Sequence, residues 1–244
     1  MGKTKGFGGT FGPLYEHGIT ILNRSDKPKW FIAENVSGLS SANNGLALKK
    51  IESEMREASY TINTHKYKFE EYGLPQARHR IIIVGLRNDL SISYEIPETT
   101  KKRLSARDVL KDIPESAPNQ EFTRQSAQVV ERLGYIKPGD NAWSPDIPEK
   151  LRLDVINTKL SNIYRRLNPD KPAYTVTGSR GGGTHMYHWD KPRALTNRER
   201  ARLQTFPDWF KFCGTKESAR KQIGMAIPPM GMKFICDNIL KALY

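Results

Sequence analysis

The chain has 244 residues, 37% of them hydrophobic, enough for one large domain or two small ones around a packed core. Lysine and arginine number 39 against 26 aspartates and glutamates, a formal charge of +13 that predicts attraction to a polyanion, most commonly nucleic acid. No apolar run approaches a membrane span, and the start Met1-Gly2-Lys3-Thr4-Lys5 lacks the apolar stretch of a secretion signal, so a soluble intracellular protein is expected. The two cysteines, Cys213 and Cys236, stand in no C-x-x-C pair, which excludes a zinc ribbon and predicts reduced thiols.

In chain order, Lys29 to Val36 reads as a buried strand ending in polar residues, and Ser37 to Asn44 as a small polar loop. Leu48, Ile51, Met55 and Ala58 recur at steps of three and four, the spacing of an amphipathic helix. Tyr60 to Phe69 and Arg80 to Leu86 read as two further strands, the second a continuous apolar run suited to cover on both faces. Strand, helix, strand and strand within about sixty residues predict an α/β layer.

From Asn88 to about Asn162 the chain is polar, rich in Pro and Lys and weakly periodic, predicting a small irregular second domain. Within it Ser105 to Asp108 is a capping box before a short helix, and Thr123 to Leu133 predicts another helix stopped by Gly134. Pro172 to Thr177 carries a β-branched strand pattern and leads into a glycine-rich loop, Gly178 to Gly183. Thr196 to Glu199 is a second capping box, opening a basic helix that ends before Pro207. Thr215 to Ile223 predicts a helix with Gly224 as its stop, and Pro228-Pro229 introduces a last helix whose inner face carries Met232, Ile235, Ile239 and Leu243.

Four stretches could carry chemistry. Glu34, at the end of the first strand, lies where open α/β sheets bind ligands, although taken alone a carboxylate capping the next loop is narrowly the better reading. Gln76, Arg78 and Arg80 alternate, so on an extended backbone they share one face as a donor-rich surface for phosphate oxygens or base carbonyls. The glycine loop lets backbone at Thr177 and Gly178 approach a phosphate, with Arg180 adding charge, or else forms a plain turn. His185 and His188 stand three apart with no third ligand near in sequence, and no metal site is expected. Gln222 to Pro229 forms a helix–loop–helix junction whose Gly224 and Ala226 could line a cofactor pocket.

In this order and spacing the stretches resemble the later blocks of DNA (cytosine-5-)-methyltransferases. Glu34-Asn35-Val36 is similar to that family's Glu-Asn-Val block, and Gln76, Arg78 and Arg80 to its Gln-x-Arg-x-Arg block. Arg166 to Thr177 resembles the block ending Thr-Val-Thr, Leu195 to Pro207 its neighbourhood, and the run from Gln222 the last block. The resemblance implies a partial Rossmann-like methyltransferase sheet with a small target-recognition domain. It divides the chain into a partial catalytic domain at 1–87, a target-recognition region at 88–190 and C-terminal helices at 191–244 that return to the catalytic domain.

Such enzymes flip a cytosine out of duplex DNA, add a cysteine thiolate to ring carbon 6, and methylate carbon 5 from S-adenosylmethionine. By resemblance Glu34 holds ring nitrogen 3 and the exocyclic amine, Arg80 contacts the carbonyl, Arg78 and Gln76 support the pocket and DNA backbone, and Gly224 and Ala226 touch the cofactor. The family's Pro-Cys nucleophile and glycine-rich cofactor loop lie upstream of its Glu-Asn-Val block, and Gly2 to Gly6 resembles residues just after that pair. Met225 stands where the last block usually carries Asn. The expectation is therefore the DNA-reading part of a split or truncated bacterial, cytoplasmic restriction–modification enzyme. It would be inactive alone, would need an N-terminal half that also covers its open sheet edge, and would hold an incomplete cofactor site. A non-catalytic DNA-binding derivative is the rival, and a relative acting on RNA a weaker third.

Overall fold

The computed structural model describes residues 14–154, 160–178 and 181–243. In chain order the elements are α1 (Tyr15–Leu22), β1 (Trp30–Val36), α2 (Leu46–Glu57), β2 (Tyr60–Lys68), β3 (Gln76–Ala77), β4 (His79–Arg87), α3 (Ala106–Leu110), α4 (Ala127–Gly134), β5 (Ala173–Tyr174), α5 (Asn197–Leu203), α6 (Lys216–Met225) and α7 (Pro229–Leu243). They group into two compact units. The first holds residues 14–68, 79–98 and 234–243, the second residues 69–78 and the described part of 99–233.

The first unit is built on a three-stranded sheet of order β1-β4-β2. β4 runs antiparallel to both neighbours, pairing Trp30 to Val36 with Leu86 to Arg80 on one side and Tyr60 to Lys68 with Arg87 to His79 on the other. β1 and β2 are therefore parallel to each other, with α2 in their crossover. Pairing on both edges explains why Ile81 to Leu86 is buried throughout. By contrast β1, expected as a buried strand, is half-buried from Trp30 to Glu34 and exposed at Asn35 and Val36. It is an edge strand, with no neighbour on its far side among the described residues. Ile51 and Met55 of α2 and Leu22 of α1 pack on Tyr60, Ile81 and Ile83, burying one face of the sheet. Gly85 makes room there for the Phe31 ring that crosses it, since a Cβ would lie 2.0 Å from that ring in its present position.

The second unit has little regular structure. Its main core joins Ala106 and Leu110 to Leu167, Ala173, Val176, Met186, Leu195, Ala201, Leu203, Phe212, Ala219 and Ile223. The 191–233 stretch thus packs with the middle of the chain, and only 234–243 belongs with the sheet, a grouping that cuts across the division at 87 and 190. Both capping boxes form as expected, at Ser105 with Asp108 and at Thr196 with Glu199. Three boundaries differ. The helix expected from Thr123 starts only at Ala127, where the Ser126 side chain caps it, and runs through Gly134. The strand expected from Pro172 to Thr177 shrinks to Ala173–Tyr174, paired in parallel with Gln76 and Ala77. The helix expected to stop at Gly224 continues to Met225, because that glycine makes a packing contact described below.

Candidate active site

Glu34 ends the hydrophobic part of β1, and Arg80 is the second residue of β4. Val36 lies opposite Arg80 in the ladder, which sets Glu34 one diagonal step away on the same face. That face is opposite the one packed on α1 and α2, since Ile81 and Ile83 alternate with Arg80 and Ile82. Arg80 Nε lies 2.7 Å from Glu34 Oε1, with the two side chains 14% and 26% exposed. Arg80 Nη1 also donates to the His79 carbonyl at 2.8 Å. The result is a carboxylate and a guanidinium locked together at the mouth of a sheet, each with polar atoms left to meet a ligand.

Gln76 and Arg78 belong to the second unit and are buried in it, so they do not offer the exposed donor surface expected of them. The Arg78 amide donates to the Gln76 carbonyl at 3.0 Å, a tight turn that separates β3 from β4 and breaks the two-residue alternation. Both side chains turn inward. Gln76 is fully buried; its Nε2 donates to Gln204 Oε1 at 2.8 Å and to the Leu203 carbonyl at 3.1 Å, while its Oε1 accepts from the Val176 amide at 2.7 Å. Arg78 Nη1 donates to the Val176 carbonyl at 3.2 Å, and Thr175 Oγ1 donates to the Ala77 carbonyl at 2.7 Å. Gln76 and Arg78 therefore grip both peptide groups of Val176 and fix the Thr-Val-Thr stretch. The exposed donor surface read from the spacing is corrected to an interior clamp.

Thr177 is exposed, and its carbonyl accepts from Arg200 Nη1 at 3.5 Å. Gly178 and Gly224 interlock. A Cβ on Gly224 would lie 2.0 Å from the Gly178 nitrogen, and one on Gly178 would lie 2.9 Å from the Lys221 Cα. The glycine in the last block thus serves close backbone packing, and it leaves no open cradle for a cofactor at Gly224. The Ala226 carbonyl likewise accepts from Gln204 Nε2 at 3.2 Å. Arg180 lies outside the described residues. Beyond it Tyr164 N donates to the Gly183 carbonyl at 2.7 Å, and Tyr187 Oη to the Gly182 carbonyl at 3.1 Å, so two of the turn's carbonyls are tied down.

Burial pushes His185 down to about 4, with Arg200 adding to the effect, and burial does the same to His188, so both rings are neutral at pH 7. His188 Nδ1 accepts from the Asp190 and Lys191 amides. No group of three His, Cys, Asp or Glu side chains among the described residues is placed to hold a metal. Burial raises the Cys236 thiol above its ordinary value, the opposite of what an activated nucleophile needs, and Cys213 is exposed. Sequence reasoning missed Gln204 as the hub joining Gln76, Ile223 and Ala226. It lay inside a stretch singled out only as a whole, and nothing local marks it as buried.

The sheet and the ordered blocks make this an α/β protein, and residues 1–241 match the family model of the C-5 cytosine-specific DNA methylases. The chain belongs to that family. It is 57% identical to the Type II methyltransferase M.BbvI of Brevibacillus brevis over 99% of this chain and 66% of the relative, and 38% identical to M.NgoFVII of Neisseria gonorrhoeae over 98% and 65%. The chain thus spans just under two-thirds of these relatives' length. A solved Escherichia coli prophage protein described as a DNA modification methyltransferase shares the fold, at a TM-score of 0.78 and 21% identity over 98% of this chain and 76% of that one. No helix among the described residues is long and apolar enough to cross a membrane.

Proposed function

We propose that this chain supplies the base-holding and DNA-reading side of cytosine-5 methylation in a restriction–modification enzyme. It acts on duplex DNA with a segment that carries the nucleophilic cysteine and the glycine-rich cofactor loop. That segment is a separate polypeptide or another stretch of a longer one.

The observation that carries this reading is the Glu34–Arg80 pair at 2.7 Å. Cytosine presents an amine donor and a carbonyl acceptor on either side of ring nitrogen 3. A carboxylate accepts from the amine and, when protonated, donates to nitrogen 3; a guanidinium beside it donates to the carbonyl. The pair matches that edge, whereas a purely phosphate-binding protein gains nothing from a carboxylate that repels phosphate. S-adenosylmethionine supplies the methyl group in the family's reaction. Gly224 packs on the Gly178 backbone and the Ala226 carbonyl accepts from Gln204, so these two residues form no cofactor cradle of their own. Gln76 and Arg78 hold the Thr-Val-Thr stretch in place for the same reaction.

The test uses the tagged chain purified with its nucleophile-bearing segment. Glu34→Gln keeps the side chain's size but turns half of an acceptor into a donor. It is expected to cut methyl transfer about 100-fold or more and to leave duplex affinity within a few-fold. Full activity in that variant would sink the assignment. Purification of the chain alone as a well-behaved DNA binder, with no methyl transfer on addition of a nucleophile-bearing segment, would favour a non-catalytic derivative.

A further inference from the structure

We infer that Arg200 supplies the buried positive charge that holds a backbone phosphate of duplex DNA on the turn Gly182–Thr184, a role that rests on the DNA-binding reading above. Arg200 is fully buried in α5, and its guanidinium reaches both stems of the glycine-rich loop. Nη1 meets the Thr177 carbonyl before the loop at 3.5 Å, and Nη2 meets His185 Nδ1 after it at 3.4 Å. Both contacts are long, and Nε is buried with no hydrogen-bond partner among the described residues. The adjacent carboxylate is committed elsewhere: Glu199 takes Arg193 at 2.7 and 2.8 Å and the Thr196 amide at 2.7 Å. Arg220, also buried, adds a like charge, while the His185 ring is neutral.

A buried guanidinium without a carboxylate is costly, and such charges are ordinarily paired. Arg198 and Arg166 each satisfy three carbonyls; Arg200 has one distant carbonyl and an imidazole. Among the described residues no carboxylate pairs with its guanidinium. The turn above it begins after Gly181 at φ +112 and Gly182 at φ +58, backbone without side chains that lets a phosphate come close. A charge beneath that turn acts on the phosphate through protein rather than through water, where it is screened far less.

Arg200→Met separates this role from a structural one. Removing an unpaired buried charge is expected to raise the melting temperature by about 2–4 °C. It should also weaken duplex affinity about five- to tenfold near 0.1 M salt and make the slope of log affinity against log salt shallower by up to about one. Arg200→Lys keeps the charge but not the fork and should keep the slope. A Met variant that melts lower with an unchanged slope, or a Lys variant that loses the slope as the Met variant does, would overturn the inference. Melting in sodium phosphate against sodium chloride at matched ionic strength separates the two readings. If the wild type binds no duplex but gains stability in phosphate, and Arg200→Met loses that gain, the anion site stands without DNA. If neither protein gains and neither binds duplex, both readings fall.

Discussion

The two units solve the same problem with different chemistry. Tyrosine hydroxyls aside, every buried polar or charged side chain among the described residues lies in the second unit: six arginines, Glu70, Glu199, two histidines and a few amides and hydroxyls. In the first unit, backbone groups are satisfied by two antiparallel ladders around β4, and the buried side chains are aliphatic or aromatic, with tyrosine hydroxyls as their polar atoms. In the second, long irregular stretches leave carbonyls without ladder partners, and guanidinium groups reach in to serve them. Arg166 donates to the His188, Leu133 and Ile136 carbonyls, and Arg198 to those of Pro118, Pro207 and Phe210. Arg202 donates to Val109, Lys111 and Asp112. A group with five fixed donors can close several such gaps at once. The lesson reaches the charge count. Six buried arginines against two buried carboxylates place a net four of the thirteen positive charges in the interior, so the exposed surface carries fewer than the composition suggests.

The largest break in this comparison should come from Arg166→Met. Three buried carbonyls lose a donor and only that of Leu133 keeps another, the Ile136 amide; an unsatisfied one costs about 1–3 kcal/mol, and a loss of about 4 kcal/mol is expected. Hydrogen exchange should show protection lost first in the second unit. Faster exchange in β4 than around residues 133–136 and 186–188 would show that the arginine ties are not what holds that unit.

Acid should act on the same side. His185 and His188 are held at about 4 against an ordinary 6.5, so the stability they contribute is fully present above 6.5 and is lost as pH falls toward 4. At pH 5 the cost is on the order of 2 kcal/mol for each ring. Trp143, Trp189 and Trp209 lie in the second unit and only Trp30 in the first, so a fluorescence melt at pH 7.5 and pH 5 reports chiefly on the second. Equal midpoints would contradict the buried neutral histidines.

A matched pair of glycines sharpens the contrast. Gly224→Ala would drive a methyl into the Thr177–Gly178 backbone, which has nowhere to go, and should cost about 3 kcal/mol. Gly85→Ala meets only the Phe31 ring, a half-buried side chain that can swing aside, and should cost about half as much. Thermal melts of the two variants rank them directly; the reverse order would mean that the strand stretch 173–178 is freer to shift than its contacts with Gln76 and Arg78 imply.

What the sequence disclosed divides along the same line. β4 was legible because a strand buried on both faces needs a continuous apolar run, and α2 because its buried positions recur with the helical period. Glu34 was legible as a polar residue closing an apolar strand. The arginine ties were not. Arg198 and Arg200 sit in a run that reads as a basic helix, yet both are fully buried, because the Pro118 and Thr177 carbonyls they meet lie far away in sequence. Gln76 and Arg78 misled for a related reason. Alternation predicts a shared face only while the backbone stays extended, and a single turn at Arg78 ends that.

The smallest effect belongs to the first unit. Thr64 Oγ1 donates to Glu52 Oε1 at 2.6 Å, tying β2 to α2. Thr64→Val removes the bond but keeps the β-branched shape that suits a strand, so about 1 kcal/mol should be lost. The backbone of β2 stays paired with β4 from end to end, and the helix stays anchored by Ile51 and Met55. A side-chain tie laid over a complete ladder is redundant in a way that Arg166 is not. If Thr64→Val cost as much as Gly224→Ala, the first unit would depend on its polar ties as heavily as the second, and the contrast between ladder and guanidinium would not hold.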